Sequence, residues 1–86
     1  MKSEIAGKNI LEVEVTNISA HGFWLLLGEN EYFLPFNEFP WFKNARISEI
    51  SNVAVLSDKH LYWEKLDIDL TLNMIQNPQQ YPLISI

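Results

Sequence analysis

Phe23-Trp24-Leu25-Leu26-Leu27, then Gly28-Glu29-Asn30-Glu31, then Tyr32-Phe33-Leu34-Pro35-Phe36 is the stretch that decides the fold. The first five residues are too short and too bulky for a free helix and read as a strand covered on both faces. The glycine and the polar residues behind it supply turn chemistry, and the aromatic run that follows reads as the return strand of a hairpin. Pro35 has no N–H to give to a ladder, so it marks an edge position or the strand's end.

Upstream, Leu11-Glu12-Val13-Glu14-Val15-Thr16 alternates apolar and polar residues, the pattern of a half-buried strand. Ile18 then falls in register with the polar positions, which calls for a bulge or turn between Asn17 and His21, and Gly22 supports a bend there. Downstream, the dense rings of Phe39-Pro40-Trp41-Phe42 favour an irregular turn or a single helical turn, with a short helix around Ser48-Glu49-Ile50. Val53-Ala54-Val55-Leu56 and His60-Leu61-Tyr62-Trp63, separated by Ser57-Asp58-Lys59, describe a second hairpin. Asp67-Ile68-Asp69-Leu70 alternates again and extends its second arm. Thr71 is placed to cap a helix from Leu72 to about Asn77, which Pro78 ends, and Gln79 to Ile86 reads as extended. The expected architecture is α+β: a small, mostly antiparallel sheet of about five short strands with one or two short helices on one face.

Eighty-six residues suit one domain spanning 1–86, with residues 1–9 read as a flexible N-terminus, because two cores would each be too small. An apolar fraction of 48% is that of a folded chain. Cysteine is absent, which excludes disulfides, thiolate nucleophiles and Cys-ligated metal, and a staple-free chain of this size points to a reducing, cytoplasmic compartment. No apolar run follows Lys2, and Phe23 to Leu27 falls far short of the roughly 20 residues that span a bilayer, so neither a secretory signal nor a membrane segment is expected. Eleven acidic against six basic side chains give a formal charge of −5, the wrong sign for a phosphate backbone. A protein partner, basic in character, or a homo-oligomer is expected rather than nucleic acid.

Polar chemistry is sparse. His21 lies at a bend beside Ser19 and Gly22, and His60 follows Asp58 and Lys59 at a hairpin tip; hydrogen-bonded or solvated turn roles are the ordinary reading of both. Asp67 and Asp69 share a strand face. With His21 and His60 they are the candidates for a metal, yet none of their spacings fixes zinc or calcium geometry. No Gly-x-Ser-x-Gly elbow and no Gly-rich phosphate loop occurs, with glycine only at 7, 22 and 28. No catalytic residue and no cofactor is expected.

The rings are the informative feature. Phe23, Trp24, Tyr32, Phe33, Phe36, Phe39, Trp41 and Phe42 fall within twenty positions, more than one face of a small sheet covers. Two readings stand side by side: a ring-rich core that compensates for small size, and an apolar patch that meets a partner. The expectation places Phe23 and Phe33 inside, Trp41 and Phe42 outside, and assigns partner contact to Phe39, Trp41, Phe42, Tyr62 and Trp63.

From His21-Gly22-Phe23-Trp24-Leu25-Leu26-Leu27, through Tyr32 to Phe42 and Asn52-Val53-Ala54-Val55-Leu56, to Leu61-Tyr62-Trp63-Glu64 and Asp67-Ile68-Asp69-Leu70, the chain resembles the small bacterial proteins of the domain of unknown function 2442 family. Its features are an aromatic strand pair, a Pro-aromatic-aromatic turn, a Tyr-Trp strand and an Asp-Ile-Asp-Leu segment before a final helix. The resemblance implies a compact α+β fold and, because such proteins are often encoded beside another small protein, an antitoxin-like member of a toxin–antitoxin pair. It implies no catalytic residues. Longer relatives join such a domain to a helix-turn-helix that this chain lacks, a departure that points away from DNA. The expected function is a non-enzymatic protein-interaction module, with a small His/Asp or metal-dependent enzyme and a structural homo-oligomer as the alternatives.

Overall fold

A computed structural model describes residues 12–57 and 59–80. Alternation in the two hairpins gives each an apolar face, and two one-sided sheets bury those faces in one shared core. The first sheet has the order β1-β2-β3, formed by Val13–Ile18, Gly22–Leu27 and Asn30–Pro35. The second has the order β4-β5-β6, formed by Val53–Ser57, His60–Trp63 and Ile68–Thr71. All four strand pairings are antiparallel. The α+β expectation holds, with six strands among the described residues instead of about five and two sheets instead of one. Asp67-Ile68-Asp69-Leu70 accounts for the sixth: it does not prolong an arm but turns back after Glu64–Asp67 and pairs with β5.

The bulge lies where the phase change called for it. β1 pairs Val15 with Leu25 and Asn17 with Trp24, so Thr16 is an extra residue and Ile18 returns to the inner face opposite Phe23. Gly28 opens the β2–β3 turn with φ 63°, a left-handed conformation that glycine adopts without steric cost, and the turn has only two residues before Leu27 meets Asn30. Gly22 is required for a different reason: a Cβ there would lie 2.7 Å from the tip of the Phe33 ring and 2.8 Å from the Pro35 Cα.

The connection between sheets carries a 3-10 turn, Pro40–Phe42, and the helix α1, Ile47–Ser51. The Arg46 backbone N–H donates to Glu49 Oε1 at 2.8 Å, which fixes the first turn of α1. The helix α2, Leu72–Gln76, is capped as its sequence indicates: Thr71 Oγ1 accepts from the Met74 N–H at 3.2 Å. It ends before Pro78, where a second 3-10 turn, Pro78–Gln80, follows.

The core takes Phe23, Leu25, Leu27 and Leu34 from the first sheet and Leu61, Trp63 and Leu70 from the second. Phe39 and Phe42 enter from the connection, Ile50 from α1 and Ile75 from α2. Phe42 meets Phe23 and Trp63 edge-on, each with ring centroids 4.9 Å apart, so three rings tie both sheets to the connection. Trp63 keeps its one polar atom satisfied by donating Nε1–H to the Ile50 carbonyl at 2.9 Å.

This packing revises the placement of the rings. β2 is not covered on both faces: Phe23, Leu25 and Leu27 are buried while Trp24 is 41% exposed. Phe33 lies outside at 36% and Phe42 inside at 0%, the reverse of the expectation, whereas Phe23 is inside and Trp41 outside as expected. The readings of residues 1–9 and of the tail beyond Gln80 fall outside the described residues.

Candidate functional site

The outer faces of the two sheets have different chemistry. On the first, β2 and β3 set Trp24 directly opposite Phe33, with ring centroids 5.2 Å apart and planes at 45°. Directly opposed cross-strand positions bring Cβ atoms within about 5.5 Å, so the two rings lie side by side on the open face. Phe33 also covers Gly22, two residues along β2 from Trp24. Beyond it opens a groove of about 420 Å³ lined by His21, Phe33, Pro35, Phe36, Pro40 and Lys43, with Ala20 and Asn37 at its margin. A second groove of about 310 Å³ shares Ala20, Phe36 and Lys43 and runs on toward Ala45 and Ile47.

The Ser19–His21 bend contributes to the lining of both grooves. Ser19 donates its N–H to the Gly22 carbonyl at 2.8 Å, His21 donates its N–H to Ser19 Oγ at 3.1 Å, and Phe36 donates its N–H to the His21 carbonyl at 2.9 Å. These bonds hold the His21 backbone in place and set its ring at the groove's edge.

On the second sheet β5 and β6 show polar side chains outward, while β4 leaves Ala54 and Leu56 exposed. His60 Nε2 meets Asp69 Oδ1 across β5 and β6, an ion pair when the imidazole is protonated. Tyr62, whose register partner is Asp69, donates its hydroxyl to Asp67 Oδ1 at 3.0 Å. That hydrogen bond, followed by repulsion from the Asp67 charge itself, holds the Tyr62 hydroxyl above the ordinary tyrosine range. Asp67 has φ 55°, the left-handed region that aspartate tolerates better than most residues, and this closes the turn into β6.

The sequence-derived candidates therefore divide. Structure brings together His60 with Asp69, and Tyr62 with Asp67, while His21 stands on the other sheet. Among the described residues no three His, Asp or Glu side chains converge as metal ligands. Neither of these two grooves is lined by His60, Tyr62, Asp67 or Asp69; His60 and Tyr62 are half-buried and the two aspartates exposed. Of the five rings assigned to partner contact, Phe39 (3%), Phe42 (0%) and Trp63 (0%) are core residues, a correction that follows from their packing against Phe23, Leu61 and Ile50. Trp41, 45% exposed, and the half-buried Tyr62 stay accessible. Trp24 and Phe33 were missed. The signal for Trp24 was period-2 alternation: once Phe23 points inward, Trp24 must point out.

A family model described as protein of unknown function, DUF2442, matches residues 12–80. The chain belongs to this family. The match runs from the residue before β1 through the final 3-10 turn, so family membership covers both sheets and both helices. The DUF2442 description carries no activity, which leaves the site to be read from its geometry. No curated protein and no solved structure gives a significant match. Among the described residues no helix is long and apolar enough to cross a membrane.

Proposed function

We propose that this protein is a non-enzymatic interaction module that docks a protein partner on the outer face of its first sheet, as the acidic, antitoxin-like member of a pair with a small co-encoded protein. The observation that carries the reading is the Trp24–Phe33 pair, in tilted ring contact and exposed to solvent beside a groove walled by Phe36 and Pro40. Neither ring belongs to the buried core. Large rings that the core does not need, grouped and exposed, are what partner surfaces use to gain affinity. The chain's net charge of −5 supports a partner of opposite sign.

Co-expression with the product of the neighbouring gene, followed by pull-down, tests this. Capture of that product by the parent chain, lost in Trp24→Ala at unchanged melting temperature, is the expected result. A chain that stays monomeric in light scattering and ignores its neighbour sinks the reading.

A further inference from the structure

Charge on this molecule is segregated. Between Glu12 and Pro35 the sequence has four acidic residues, Glu12, Glu14, Glu29 and Glu31, and no lysine or arginine, so this stretch holds −4 of the net −5. All four are exposed. Register places two of them beside the aromatic pair: Glu14 and Glu31 both oppose Leu26, one on each flanking strand, and alternation puts all three on the face that shows Trp24 and Phe33. Strand spacing separates the two glutamate backbones by about 10 Å, and the Trp24–Phe33 row lies about 7 Å along the strands from theirs. Two open rings with a pair of carboxylates in the next row of the same face form a receptor for a flat cation, since ring faces attract a cation within about 6 Å of their centroids and carboxylates fix its orientation.

We propose that this face receives an arginine of a basic partner protein, its guanidinium stacked on Trp24 and Phe33 and paired with Glu14 and Glu31. The proposal rests on the reading above that the first sheet is the docking surface, and it names the chemistry of the partner. Arginine fits better than lysine because its guanidinium is planar, stacks on rings and sheds water more readily. A second copy of this chain fits poorly, since it would bring the same carboxylates against these and has no base on the matching sheet. The far end of the face fixes direction: the groove beyond Phe33 is edged by Lys43, which repels a second cation and leaves Phe36 and Pro40 to an apolar residue of the same segment.

The test uses the full chain and three hexapeptides of equal length, each with two leucines and two charged residues, which are arginine, lysine or glutamate. Proton–nitrogen NMR resolves the indole N–H signals, and Trp24 reports this face. The arginine peptide is expected to move the Trp24 indole and the amides of Leu26, Glu31 and Phe33, with the lysine peptide about 3-fold or more weaker and the glutamate peptide silent. Glu14→Gln with Glu31→Gln should weaken the arginine peptide about 10-fold, as two rim ion pairs of ~0.5–1 kcal/mol each imply, while Glu64→Gln on the other sheet leaves binding unchanged. Shifts spread over both sheets, or a double variant that binds like the parent, overturn the proposal. If the glutamate peptide or a rise in protein concentration moves Trp24 instead, the arginine assignment is overturned and the docking face stands. If neither a peptide nor the co-expressed neighbour moves Trp24, both fall.

Discussion

Gly22→Ala is the perturbation that most directly joins the fold to the proposed surface. Gly22 is buried in β2 opposite Pro35, and an added methyl would meet three atoms: the Leu34 carbonyl oxygen, the Phe33 ring tip at 2.7 Å and the Pro35 Cα at 2.8 Å. Ordinary carbon contacts are about 3.5–4.0 Å. Two of the three atoms are backbone and cannot rotate away, so the cost lies at the upper end of the overpacking range, about 3 kcal/mol. Alanine also stiffens the unfolded chain, which offsets about 0.4–1 kcal/mol. The net loss is about 2 kcal/mol, a large share of the ~4–13 kcal/mol available to a domain of this length. Thermal unfolding should fall by about 8–16 °C. Urea unfolding followed by circular dichroism gives the same quantity with an unchanged slope. Adding Phe33→Leu relieves the ring contact but not the two backbone contacts, so the double variant should regain only a minor part. A Gly22→Ala chain as stable as its parent, or more so, would show that Phe33 does not rest on this strand and that the aromatic pair is not held as described.

Three further outcomes follow from the packing. Trp63→Phe removes the donor to the Ile50 carbonyl and shrinks a fully buried ring, and should cost about 2–4 kcal/mol in urea unfolding; a loss under about 1 kcal/mol would remove Trp63 from its role as anchor between sheets. Trp41→Ala alters an exposed ring whose aromatic neighbour is Phe39, with centroids 6.3 Å apart, so stability should change by less than about 1 kcal/mol; a loss of several kcal/mol in urea unfolding would show Trp41 to be structural. Asp67→Asn should bring the Tyr62 titration down toward the ordinary tyrosine range, followed through tyrosine Cζ shifts against pH. The sign is that of a raised value: the folded state favours neutral Tyr62, so its contribution is present below the ordinary range near pH ~10 and is lost as pH rises through the raised value. An unmoved midpoint would mean that Asp67 is not the cause.

Much of the backbone was legible because short-range rules govern it. The phase slip at Ile18 marked the bulge, Gly28 the start of a turn that was expected over 28–31 and closes in two residues, Thr71 and Pro78 the ends of α2, and the two β-rich runs the second hairpin. The strand count was not legible, since pairing β6 to β5 depends on the Glu64–Asp67 turn, where Asp67 takes a left-handed conformation that only tertiary context selects. Ring orientation divides in the same way. In β5 the alternation His60, Leu61, Tyr62, Trp63 already placed Trp63 with Leu61 on the inner face, so its assignment to a partner overlooked a signal in the sequence. Phe39 and Phe42 are different: they belong to a turn with no period, and the 3-10 geometry of Pro40–Phe42 decides that Trp41 alone points out.

The division of labour between the two outer faces is the strongest argument for a binding role. The second sheet presents His60 with Asp69 and Tyr62 with Asp67, polar pairs that satisfy one another locally, and on β4 an isolated aliphatic side chain, Leu56, with no ring beside it. The first sheet has the same number of strands and the same one-sided burial, yet presents Trp24 and Phe33 where threonine or lysine would serve as well for a ladder. Phe33 has a structural excuse in the glycine beneath it; Trp24 is 41% exposed and its aromatic contact is Phe33. Replacing Trp24 by threonine should therefore leave unfolding free energy within about 0.5–1 kcal/mol of the parent, by the size of β-propensity and exposed-site effects. If the variant instead loses several kcal/mol, the ring serves the fold, and the case for a partner on this face loses its main support.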